Sequence, residues 1–280
     1  MYELGPANRS RVYVLKGEKM PIPTSDRVVY RNNPLAEVIC QLRFPAILRI
    51  EAEAPVNFQD RIRQEYPEYR LAPVFPTELP ATALALLQGA NPESPKHVHE
   101  FISAEGAWSV SLARTFLALK TTQYVRWEEF RLRMQNLMTT LVDTFQPAYY
   151  SRVGLRYVDV IQRSRLNLEG RPWGDLLKPH IAAEFCEPGW AADIDQSSKQ
   201  ISVRLPDAAG RVLIRHGLVF AQESNEPCYI FDADFFLDAQ RTEIRDAANI
   251  LERFHRCAGN LFRWCIQPAL HAALGPQPPS

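Results

Sequence analysis

Apolar residues recur at every second position in several short stretches of this chain and at every third or fourth position in two long ones. In 37–44, Val38, Cys40, Leu42 and Phe44 alternate with Glu37, Ile39, Gln41 and Arg43, the period of a half-buried strand. A short helix is expected next, with Asn57 as its N-cap and Phe58, Ile62 and Tyr66 on one side, until Pro67 stops it. Strand periodicity returns at 98–103, 108–113 and 116–122, with Ala104-Glu105-Gly106-Ala107 as a turn. From Trp127 through Phe130, Met134, Leu137, Met138, Leu141, Val142 and Phe145 the spacing is helical, and Pro147 ends the element.

The same order then repeats. Val38-Ile39-Cys40-Gln41-Leu42-Arg43-Phe44 has a counterpart in Val153-Gly154-Leu155-Arg156-Tyr157-Val158, 155 − 42 = 113 residues on when Leu42 is matched to Leu155. A strand over 152–161 is followed by a helix near 173–181, strands at 191–195, 200–205, 212–221 and 229–237, and a hairpin loop at 206–210. Ile244, Ala248, Leu251, Phe254, Ala258, Leu261 and Cys265 form the stripe of a closing helix that Pro268 ends. The recurrence predicts an α+β fold: two similar β-α-β(meander)-α units joined in one curved, mainly antiparallel sheet, with the long helices on one face. Residues 1–33 read as an N-terminal arm with an edge strand near Val12–Leu15. The halves span 34–150 and 151–270 and make one continuous domain, and 271–280 form a flexible tail. Five prolines between Leu71 and Lys96 predict a long excursion there, with one short element at Ala81–Leu87.

Strand parity assigns the outward side chains. If Val38, Cys40, Leu42 and Phe44 face the helices, Gln41 and Arg43 face away, and Arg156 takes the matching place in the second half. The same alternation sends Ser109, Ser111, Ser202, Arg204, Arg215, Asp232, Asp234, Asp193 and Asp195 to that open face. Two readings stand side by side. Arg43, Arg156, Arg204 and Arg215 form a surface that grips phosphates or carboxylates, or the arginines and aspartates pair across strands. Nearly equal numbers of opposite charges favour the ladder, since an anion site would show an excess of arginine.

Composition narrows the classes without choosing among them. Of 280 residues 46% are hydrophobic, enough for a sizeable core, and 32 basic side chains balance 32 acidic ones. That balance argues against a sequence-blind, purely electrostatic binder of nucleic acid or membrane. Five scattered cysteines, no leader-like N-terminus and no apolar run of about 20 residues point to a reduced, cytoplasmic protein without a membrane span.

A few side chains are spaced in ways that suit chemistry. Asp232 with Asp234, and Asp193 with Asp195, place paired carboxylates on strand faces in a spacing that can hold Mg²⁺ or Mn²⁺. His97 and His99 share a strand face but lack a third ligand at a recognised spacing. His255 and Cys257 point about 200° apart on a helix, with Cys257 towards the apolar stripe and His255 exposed, so they make no catalytic pair. No phosphate-binding glycine loop or hydrolase motif occurs, and no cofactor is expected.

Asn33-Pro34-Leu35-Ala36-Glu37-Val38-Ile39-Cys40-Gln41-Leu42-Arg43-Phe44 resembles the opening strand of an uncharacterised, sporadically distributed family of prokaryotic proteins. The likeness continues through Gly154–Val158, Tyr229–Asp234, Phe254-His255, Phe262 and Ile266, and covers roughly residues 30 to 270. The resemblance implies an accessory role of the kind found in defence loci or mobile elements, and it transfers no activity. The expectation is a non-enzymatic binding or adaptor protein that holds a protein or nucleic-acid partner on the open face around Arg43, Arg156, Arg204 and Arg215. A metal-dependent enzyme acting on a phosphate-bearing substrate through Asp193, Asp195, Asp232 and Asp234 is the alternative. A homo-oligomeric structural component is the third.

Overall fold

The computed structural model describes residues 22–73, 95, 97–206, 210–221, 224–238 and 241–279. The expected elements at Val12–Leu15 and Ala81–Leu87 lie outside them. Nine strands form one antiparallel sheet: β2 (Leu35–Arg43), β3 (Glu68–Pro73), β4 (His97–Ile102), β5 (Trp108–Ala113), β6 (Phe116–Thr121), β7 (Arg152–Ile161), β8 (Ser198–Arg204), β9 (Arg211–Phe220) and β10 (Pro227–Leu237). Their order across the sheet is β3-β4-β5-β6-β2-β7-β10-β9-β8. The first strand of each expected half therefore lies at the centre, and β2 pairs with β7 through Cys40 opposite Leu155 and Leu42 opposite Val153.

The periodic segments fold as their patterns require. Val38, Cys40, Leu42, Val110, Leu112, Val153, Leu155 and Phe235 are all buried on one face of the sheet. The 19-residue helices Trp127–Phe145 and Ala247–Cys265 cover that face, with Trp108 against Phe130 and Phe235 against Phe254. With the two short helices Arg49–Ala52 and Val56–Ile62 counted first, these are α3 and α5; Pro179–Ala182 is α4 and Pro268–Ala273 is α6. Glu128 and Glu129 in the first turn of α3 suit the positive end of its dipole, and Gln146 ends it in a left-handed conformation just before Pro147. Burying a leucine or phenylalanine from these stripes stabilises by roughly 1.5–3 kcal/mol, so the two helices supply much of the driving force for the fold.

Several expectations are corrected. The helix after β2 starts at Val56, and its cap position is Pro55, so Asn57 caps nothing. The expected strand at 191–195 is a chain of turns, in which the Trp190 and Ala191 amides donate to Glu187 and the Asp193 amide donates to Trp190. Pro188-Gly189 precedes it, and Trp190 lies exposed with no sheet to cover it. The helix near 173–181 is broken into a 3-10 turn at Trp173–Asp175, α4, and a second 3-10 turn at Ala183–Cys186. The chain folds back so tightly there that a side chain at Gly174 would overlap the Phe185 carbonyl oxygen. α5 ends at Cys265, shortly before Pro268, and Pro268 in turn opens α6, where its missing amide costs nothing. The expected tail from 271 onward holds the end of α6 and a strand, β11 (Pro276–Gln277), paired with β1 (Val29–Tyr30) from the expected arm.

Candidate functional site: the open face of the sheet

Parity places the outward residues as expected on the paired strands, and the register decides which of them meet. Arg156 Nε and Nη2 donate to the two carboxylate oxygens of Asp232 at 2.7 and 2.8 Å, and Arg215 Nη1 donates to the same carboxylate at 3.1 Å. Arg152 Nη2 donates to both oxygens of Asp234 at 3.0 and 2.9 Å, and its Nη1 reaches the Gln41 side-chain oxygen at 3.2 Å. The cross-strand ladder is real, and Asp232, with its side chain 4% exposed, is its buried centre.

Arg43 and Arg204 stand apart from it. Arg43 is exposed and donates to the Gln41 oxygen at 3.0 Å. Arg204 is exposed at the end of the edge strand β8, opposite Arg211. Arg211 and Arg152 both lie over the Phe236 ring, at 5.8 and 4.9 Å from its centre.

Two acidic candidates leave the face. Asp193 and Asp195 sit in the turn region before β8, so no four-carboxylate site forms with Asp232 and Asp234. Asp232 already accepts from two guanidinium groups and Asp234 from one, which leaves no vacant carboxylate pair for a cation. Among the described residues no group of three or more His, Cys, Asp or Glu side chains is arranged to hold a metal ion.

Arg152 and Arg211 were not singled out from sequence, though both lie at outward parity on their strands. With them, the end of β2 and the four strands β7, β10, β9 and β8 present six arginines: Arg43, Arg152, Arg156, Arg204, Arg211 and Arg215. Among the described residues of these strands, two acids, Asp232 and Asp234, face them. The even balance expected from sequence is thus an arginine excess in this half of the face.

The other candidates resolve into structure. His97 and His99 share a face, with rings 5.2 Å apart, but both ring nitrogens of buried His99 are engaged, with the Ile50 carbonyl at 2.9 Å and the Tyr69 hydroxyl at 3.0 Å. His255 is half-buried rather than exposed; it stacks on Trp127 at 4.5 Å and bonds the Tyr157 hydroxyl at 3.0 Å. Burial holds its pKa down at about 3. The described cysteines are free, with Cys186 exposed and Cys40, Cys228, Cys257 and Cys265 buried. No described helix is long and apolar enough to cross a membrane. No protein-family model matches this chain, and no curated protein matches it.

Proposed function

We propose that this is a non-enzymatic binding protein that holds an extended anionic partner on the half of its open sheet face formed by the end of β2 and by β7, β10, β9 and β8. The observation that carries the reading is the excess there, among the described residues, of six arginines over two aspartates. Asp232 and Asp234 fix Arg156, Arg215 and Arg152 in place, while Arg43, Arg204 and Arg211 make no salt bridge with any described residue. Preformed guanidinium groups lose less freedom on meeting phosphate or carboxylate than mobile ones do. Resemblance to a sporadically distributed family supports placing such a protein in an accessory system.

The two halves are further read as a duplication about an approximate twofold axis. Its support is the register: the 113-residue offset taken from Leu42 and Leu155 maps Gln41 onto Gly154, and these two residues lie directly opposite each other. An axis through that pair exchanges the Cys40–Leu155 contact with the Leu42–Val153 contact. The two long helices are also equal in length, at 19 residues each.

The test is binding of fluorescent single-stranded DNA, duplex DNA and poly-glutamate across a salt series. A nucleic-acid partner gives an affinity for DNA that falls steeply and linearly on a log–log plot with salt; an acidic protein partner gives preference for poly-glutamate. Arg43→Glu with Arg204→Glu should weaken the preferred probe at least tenfold without altering the fold. Arg156 is unsuited to charge reversal because it would strip Asp232 of its main partner. Failure of all three probes, or binding indifferent to the double reversal, would sink the proposal.

A further inference from the structure

On the other side of the sheet, Asp159 occupies an inward position of β7, flanked in parity by Tyr157 and Ile161. It is 6% exposed and makes no hydrogen bond or ion pair with any described residue. It opens onto a cavity of about 590 Å³, walled by the segment around β1, the start of α3, β7, β10 and the second half of α5. Small-molecule sites fall in this size range. Tyr30, Tyr124, Tyr157, Trp127, Phe231 and Phe262 contribute aromatic rings to its walls.

These features select the ligand. A carboxylate taken out of water without a partner costs several kcal/mol in its charged form, and a bound cation removes that cost. Aromatic faces attract ammonium groups through their quadrupoles and cover an apolar body at the same time. Five arginines also line the cavity, Arg27, Arg126, Arg253, Arg256 and Arg263, and none of them forms an ion pair with Asp159. Arg27 is paired with Glu128 at 2.8 Å, and Arg263 donates to the Ser25 hydroxyl at 2.7 Å and the Asn260 side-chain oxygen at 3.1 Å. The rings are held in place by one another, since the Tyr157 hydroxyl is bonded to His255 and His255 is stacked on Trp127.

We infer that this cavity is a binding site for a small organic ammonium ion, its charged end against Asp159 and its apolar body among the tyrosines. Two sources share that chemistry, simple amines and zwitterionic amino acids, and the lining arginine Arg263 offers a guanidinium to the carboxylate of the second. Without ligand, burial pushes the Asp159 carboxyl up to about 8, so binding an ammonium near neutral pH drives a proton off it into solution.

Calorimetry on the full chain at pH 7 with phenethylamine, L-phenylalanine and 2-phenylethanol tests the site. The better of the two ammonium probes should bind at least tenfold tighter than the alcohol, with a heat that varies with buffer ionisation enthalpy because a proton is released. Whichever ammonium probe is tighter identifies the source, and either ranking upholds the site. Asp159→Asn should retain the alcohol and lose the tenfold preference. No binding by either ammonium probe, equal affinity for amine and alcohol, or a preference that survives in Asp159→Asn overturns the inference. The proton release in the unaltered protein decides the matter independently should the variant fold poorly.

Discussion

Arg156 and Asp232 are joined by a two-point guanidinium–carboxylate contact between neighbouring strands, and the same carboxylate also accepts from Arg215. Their geometry makes Asp232 the clamp of the open face. Removing it leaves two arginines facing each other with nothing between them. Asp232→Ala should therefore destabilise the protein by about 2–3 kcal/mol, less than a fully buried pair because Arg156 and Arg215 are partly in water. Chemical denaturation measures this, and a double-mutant cycle with Arg156→Ala should return a coupling of about 1 kcal/mol or more.

Gly154 lies beneath the Arg152 side chain, and a methyl group added there would overlap its guanidinium. Because the obstacle is the far end of a flexible side chain, Gly154→Ala should displace Arg152 from Gln41 and Asp234 and leave the strand intact. The expected outcome is a loss of about 1 kcal/mol, absent when Arg152→Ala is already in place. Equal losses in both backgrounds would show that the glycine serves the backbone instead.

Asp159, His255 and His216 make stability depend on pH in opposite senses. The Asp159 carboxyl is raised by burial from 3.8 to about 8, so its contribution is full below pH 3.8 and falls as pH rises towards 8. Burial lowers His255 from 6.5 to about 3 and His216 to about 4, so their contributions are full above 6.5 and fall as pH drops. Between pH 6.5 and 8 Asp159 acts alone among the three. Stability should decline there by up to about 1.4 kcal/mol per pH unit. Urea midpoints across this window should go flat in Asp159→Asn, and the variant should be the more stable protein at pH 8.

Gly217, at φ 154°, approaches Ser197 so closely that a side chain would strike its carbonyl oxygen just where β8 begins. Backbone cannot yield as a side-chain tip does. Gly217→Ala should cost about 1–3 kcal/mol and loosen β8, seen as faster amide exchange over Ser198–Arg204 than over β10.

Much of this fold is legible in local periodicity. The alternation in 37–44 and 152–161 and the stripes of α3 and α5 need only their own residues, because a strand or helix must turn its apolar side to whatever covers it. That is how the helix Trp127–Phe145 and the strand Arg152–Ile161 could be read with their ends in place. Where proline and glycine crowd the chain, as over 172–195, periodicity covers too few residues to separate helix or strand from turn, and the expected helix and strand there dissolve into short turns.

Side of the sheet was decided by the sequence; neighbour was decided by the tertiary structure. Parity puts Arg156 and Asp232 on one face, but the strand order sets β7 beside β10, so that residues 76 apart in the chain share two hydrogen bonds. Asp193 and Asp195 leave the face because their segment folds as turns, and Arg152 and Arg211 join it at outward parity, which turns an even balance of charge into an excess of arginine. Asp159 shows the division most clearly. Its inward parity was readable as an acid among apolar positions, but a carboxylate's meaning depends on what stands opposite it. That it faces a cavity with no partner among the described residues follows only from how α3, α5 and the segment around β1 come together above β7.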